Sequence, residues 1–136
     1  MKYKNVTEEI IKIFFKVYNT LGYGFLENVY ENAMKDEFEM CGILYENQKP
    51  IKVLYNDKIV GDYIADFVIE NKIIVELKAV KELAKEHESQ LINYLTATNK
   101  EVGLLLNFGK NAEIKRKVYD NDLKKYNPSV EKPCNP

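Results

Sequence analysis

A chain of 136 residues carrying 20 basic and 21 acidic side chains can bury a core as one domain without disulfide or metal staples. Its net charge near zero argues against a protein that holds nucleic acid mainly by bulk electrostatics. No apolar run approaches the length of a membrane span, and the opening segment MKYKNVTEEIIKIFF lacks the apolar stretch and small-residue end of a signal peptide, so a cytoplasmic protein with no membrane partner is expected. Cys41 and Cys134 lie far apart without the spacing of a zinc site, and neither receives a role.

In chain order, Thr7 reads as an N-cap with acids in the turn after it, and Ile10, Phe14, Val17, Tyr18 and Leu21 recur at helical spacing until Gly22 stops the helix. A second helix is expected soon after Gly24, its apolar face running through Phe25, Leu26, Val29, Tyr30, Ala33, Met34 and Phe38 to an end near Gly42. The period then approaches two. Three strands of an antiparallel meander follow, ILYENQKPIKVLYN, IVGDYIADFVIE and IIVELKAV, the first pair joined by Asp57-Lys58 and Pro50 marking an edge or bulge. From Leu83 the pattern is helical again through His87, Leu91, Tyr94, Leu95 and Thr98, and the apolar run VGLLLNFG reads as a buried strand. EIKRKVY reads as a further edge strand, with a short helix as the alternative, and the lysines of that region as a solvated surface. The expected architecture is α/β: a mixed central sheet with an antiparallel meander, flanked by helices, in a single domain over residues 1–127, with 128–136 as a frayed tail.

The hairpin YIADFVIENKIIVELKAV carries Asp66, Glu76 and Lys78 inside an otherwise apolar pair of strands. A two-residue loop at Asn71-Lys72 would mix acids and aliphatics on both faces. A three-residue loop, Glu70-Asn71-Lys72 with Asn71 left-handed, pairs Ile69 with Ile73, Phe67 with Val75 and Ala65 with Leu77. One face is then wholly apolar, and the hydrophobic pattern selects this register. It sets Asp66 opposite Glu76 and Ile64 opposite Lys78. Two carboxylates about 4 Å apart repel by roughly 4 kcal/mol at an effective dielectric near 20. A shared proton, Lys78 or a divalent cation would offset that, the cation best. Ile64, Val68 and Ile74, on the same face as the acids, call for cover.

Asp66 followed by Glu76-Leu77-Lys78 resembles the D…ExK core of the PD-(D/E)xK nuclease superfamily. Upstream, Gly24, Glu27 and Tyr30 in GFLENVY match the motif of the GxxExxY protein family, and Gln90 and Tyr94 in QLINY are similar to the QxxxY helix of RecB-type nucleases. The four motifs stand in the family's order between Leu21 and Phe108, although Ala65 replaces the Pro that often precedes the first acid. The resemblance implies a restriction-endonuclease-like core and Mg²⁺, with Mn²⁺ as a substitute, held by Asp66, Glu76, the Leu77 carbonyl and Glu27, the last directly or through water. It further implies Lys78 orienting the attacking water or stabilising phosphate charge, and Gln90 positioning a water, an acid or a phosphate. Tyr94 would contact a nucleic-acid backbone, DNA before RNA; Tyr30 and His87 would lie at the substrate's edge, core packing sharing the explanation for both tyrosines. If both motif helices pack on the polar face of the hairpin, Glu27 becomes a third carboxylate beside Asp66 and Glu76. The rival readings are a binding module on a nuclease fold without turnover and a structural subunit whose acids hold a cation. Exposed strand edges would allow a homodimer.

Overall fold

The structure, a computed structural model, describes residues 1–126. Helix α1 (Lys4–Leu21) and helix α2 (Glu27–Met40) precede strands β1 (Tyr45–Tyr55), β2 (Lys58–Ile69) and β3 (Ile73–Lys78); helix α3 (Lys85–Ala97) then leads to β4 (Val102–Phe108) and β5 (Ala112–Val118). The five strands form one sheet in sequence order, antiparallel except for the parallel pair β3/β4 that α3 connects. This is the expected mixed sheet with its meander, and EIKRKVY lies in strand β5 except for its last residue, Tyr119. The expected tail, with Cys134, lies outside the described residues.

Two cores explain the layers. On one face, Ile10, Ile13, Phe14 and Val17 of α1 and Tyr30, Met34 and Phe38 of α2 pack on Phe67, Ile69, Val75, Leu77, Leu104 and Leu106. On the other, Leu91, Tyr94 and Leu95 of α3 cover Val68, Ile74 and Leu105. Strand β4 is buried along its whole length, as a strand covered on both faces should be, and its continuous apolar run is the sequence trace of that burial.

Several local expectations are corrected. Helix α1 starts three residues before Thr7, at Lys4, with Tyr3 as its N-cap; Thr7 is a buried residue of the helix, because Val6 and Ile10 both reach the core. Helix α3 starts at Lys85, and the Leu83 N–H instead donates to Glu113 Oε1 at 3.0 Å. The first hairpin turns at Asn56-Asp57, both left-handed at φ 50° and 61°, because Asn and Asp tolerate that conformation better than Lys.

The second hairpin has the three-residue loop: Ile69 pairs with Ile73 and Phe67 with Val75, and Glu70 and Asn71 are both left-handed. Past Phe67 the alternation breaks. Ala65 joins the core under α3 while Leu77 stays in the core under α1 and α2, so the expected face shared by Ala65 and Leu77 does not form. Ile64, expected to need cover, is 52 % exposed.

Candidate active site

The break in alternation is where the acids are. Beyond Phe67/Val75 the backbone pairing of β2 with β3 gives way to two bonds through side chains: the Asp66 N–H donates to Glu76 Oε2 at 2.6 Å, and the Leu77 N–H donates to Asp66 Oδ2 at 2.8 Å. Each carboxylate satisfies a backbone amide that the parted strands would otherwise leave without a partner. Glu76 Oε1 stays outside these bonds, and Asp66 Oδ1 accepts from Gln48 Nε2 at 3.4 Å.

Glu76 is 6 % exposed. Burial, and then the charge of Asp66, push its carboxyl up to about 8. Asp66 is also raised, by burial first, against the lowering effect of the Leu77 amide; Glu31 raises it and Lys78 lowers it. Glu27, at the start of α2, is raised by burial and then by Asp66, and Lys78 draws it down. Lys78 therefore faces three acids electrostatically, yet among the described residues it makes no ion pair. One buried and two half-buried acids of like charge with one lysine among them form a site short of positive charge.

The two motif helices lie on opposite faces of the sheet, not together on the polar face. Where β2 and β3 part, both faces gain access to the acids: Glu27 interacts with Asp66 from the α2 side, and Tyr94, which feels the charges of Glu76 and Asp66, approaches from the α3 side. The Tyr94 hydroxyl accepts from Gln90 Nε2 and lies 3.4 Å from the Ile64 carbonyl.

Two expected site residues are turned elsewhere. Tyr30 is fully buried, stacked on Phe108 with ring centroids 4.2 Å apart. Its hydroxyl donates to the Gly22 carbonyl at 2.7 Å and accepts from the Phe25 N–H at 3.2 Å, so it ties down the loop before α2 and does not face substrate. Tyr30→Phe is expected to cost about 1–3 kcal/mol by leaving both backbone groups without a partner, read as a lower melting temperature. His87 Nδ1 accepts from the Ala84 N–H at 3.0 Å, which makes it a cap of α3.

Three polar residues absent from the sequence reading complete the surroundings. Glu31 Oε2 accepts from Asn47 Nδ2 and Gln48 Nε2, each at 2.7 Å, and Asn47 Nδ2 also donates to the Asp66 carbonyl at 2.9 Å. Gln48 holds a left-handed φ of 55° in the middle of β1, opposite the crease at Asp66. Only the i, i+4 spacing of Glu31 from Glu27 marked it in the sequence.

Among the described residues, no group of three or more His, Cys, Asp or Glu side chains is close enough to hold a metal ion unaided, so direct ligation by Glu27 as a third acid is not formed. The arrangement does fit an open site: Mg²⁺ is commonly held by one or two carboxylates, with water and substrate phosphate completing its shell. The hard oxygens of Asp66 and Glu76 suit such an ion, and a cation would relieve two neighbouring acids raised first by loss of water and then by nearby carboxylates.

The model of the PD-(D/E)XK nuclease superfamily matches residues 4–117. The chain belongs to this superfamily. The crystal structure of a protein designated SSO0001 is similar in fold, with a TM-score of 0.55 at 18% identity over 69% of this chain and 50% of that one; the chain thus spans half the length of that protein. No protein of curated function matches the sequence. No helix among the described residues is long and apolar enough to cross a membrane. PD-(D/E)XK nucleases typically use divalent metals, which agrees with the chemistry of the paired acids.

Proposed function

We propose that this PD-(D/E)XK domain is a metal-dependent nuclease that hydrolyses phosphodiester bonds of DNA, with RNA as the second substrate to test and the cytoplasm as its place of action. The observation that carries the reading is the cross-bonding of Asp66 and Glu76 at the parting of β2 and β3, which fixes a half-buried and a buried acid near Lys78. Asp66, Glu76 and the Leu77 carbonyl would hold Mg²⁺ or Mn²⁺, with Glu27 acting through water. When bound, the ion supplies Lewis-acid polarisation of a phosphoryl oxygen and a water of lowered pKa.

The chain's own residues orient the reaction. Asp66 and Glu76 are each held by a backbone amide through one oxygen, so their second oxygens, that of Asp66 also accepting from Gln48 Nε2, are preorganised. Lys78, a compact charge on the same strand end, stabilises negative charge building on the phosphate. Gln90, through its bond to Tyr94, places an amide at the α3 side of the acids, where a water or a phosphate oxygen would accept from it.

Calorimetric titration with Mg²⁺ and Mn²⁺ tests the site without a known substrate. Wild type is expected to bind and Asp66→Asn to bind at least about tenfold more weakly. Lys78→Ala should keep the ion and lose roughly a hundredfold in cleavage of DNA. Wild type that binds neither ion and cuts neither DNA nor RNA would leave the fold as a binding module.

A further inference from the structure

Between the loop that precedes Glu27 and the segment that follows Lys78 lies a cavity of about 450 Å³, within the size range of roughly 300–1,000 Å³ typical of ligand pockets. Its walls run directly on from the candidate active-site residues: Leu26 is followed by Glu27, and Ala79 follows Lys78. Tyr23, Phe25 and Leu26 form one side and are 59 %, 49 % and 77 % exposed. Lys81 and Lys110 also line it, and among the described residues no acid does, although the same two lysines border an adjoining pocket with Glu82 and Glu113. The charged groups lining the cavity itself are thus both lysines, in a chain with 20 basic and 21 acidic residues.

The aromatic side of the cavity is held in place. Gly22 and Gly24 adopt φ of 71° and 113°, which side chains rarely allow, and the buried Tyr30 hydroxyl bonds the loop at Gly22 and at Phe25. The exposed rings are thus presented by a fixed loop, so little ordering cost attends a partner that stacks on them.

We propose that this cavity receives an unpaired nucleobase next to the phosphodiester at the acidic site, with Tyr23 and Phe25 as stacking surfaces and Lys81 and Lys110 meeting the flanking phosphates. This names the substrate class of the proposed nuclease and rests on that reading. A base within a duplex has both faces stacked and would have to leave the helix to enter; a base in a single strand, flap or frayed end offers its face freely. The preferred substrate is therefore single-stranded nucleic acid, or a duplex with unpaired nucleotides at the cut.

Fluorescence anisotropy of a labelled DNA single strand and its duplex, with Ca²⁺ in place of Mg²⁺, tests the cavity through binding alone. Tyr23→Leu and Phe25→Leu keep apolar bulk and remove the aromatic face. Each is expected to weaken single-strand binding about tenfold and duplex binding far less. Lys81→Ala and Lys110→Ala should weaken both, with a shallower salt dependence. If wild type takes up Mg²⁺ and cuts DNA while both leucine variants keep full single-strand affinity, or lose single-strand and duplex affinity equally, the base pocket is wrong and the nuclease reading stands. If wild type binds neither metal nor either DNA, both fail together.

Discussion

Metal-free Glu76→Gln is expected to melt at a higher temperature than the wild type at pH 8, with the difference shrinking towards pH 5. The Glu76 carboxyl is raised to about 8 in the folded protein from an ordinary 4.5, by burial first and by Asp66 second. Between those two values the unfolded chain has released the proton while the folded chain still favours keeping it, so the folded state binds more protons and its stability falls as pH rises across the window. Below 4.5 both states are protonated and the penalty is absent; above 8 it is complete and amounts to several kcal/mol. Glutamine retains an oxygen to accept the Asp66 N–H without carrying the charge. Asp66 is raised too and titrates with Glu76 as a pair, so some slope persists in the variant.

Mg²⁺ should reverse the order of stabilities. A ligand bound only by the folded state adds about 2.7 kcal/mol at a hundred times its dissociation constant, so wild type at pH 8 regains stability with the ion while Glu76→Gln does not. Binding below pH 8 should also release protons, measurable as a dependence of the calorimetric heat on buffer ionisation. A Glu76→Gln protein less stable than metal-free wild type at pH 8 would mean that the buried acid is already compensated, and the case for a missing cation would fail.

Much of this site was legible in the sequence because one physical signal, the apolar pattern of a hairpin, permits only one register. Ile69, Phe67, Ile73 and Val75 had to share a face, and that choice brought Asp66 to Glu76. The same rule failed two residues further on. It assumes that a strand keeps its alternation, whereas the acids themselves replace the ladder at Asp66 and send Ala65 to the other core. Tyr30 and Glu27 shared a motif, but helical spacing gives only their relative angle, not the burial that takes Tyr30 into the Gly22–Phe25 loop and leaves Glu27 by the acids. The bonds of Glu31, Asn47 and Gln48 cross between α2, β1 and β2, and no local pattern encodes such a meeting. Asn107 shows the opposite case: a single polar residue in VGLLLNFG is conspicuous, and buried amides are kept where they have partners.

Those partners make Gly109→Ala the most damaging small substitution expected near the site. Asn107 is fully buried; its Oδ1 accepts from the Val80 N–H at 3.0 Å, and its Nδ2 donates to the Val80 carbonyl and to Glu113 Oε1, both at 2.9 Å. The end of β4 thereby clasps the segment that follows Lys78. A Cβ at Gly109 would stand 2.3 Å from the Val80 carbonyl oxygen and 2.8 Å from Asn107 Nδ2. Neither atom can yield alone, since one is backbone and the other is held by two acceptors. Relief requires Val80 to move, which breaks its pair of bonds to Asn107, and overpacking together with the lost bonds should cost about 3 kcal/mol or more. Gly103→Ala is the comparison: its Cβ would meet only side-chain atoms of Leu91, as close as 2.6 Å, which is fully buried in the core under α3, so the substitution overpacks that core without touching the backbone that follows Lys78. Both variants should melt below wild type, Gly109→Ala by more. When both are assayed well below their melting points, Gly109→Ala should lose more DNA cleavage, because there the adjustment runs through the backbone that aims Lys78, whereas at Gly103 it reaches the site only through Leu91, next to Gln90 on α3.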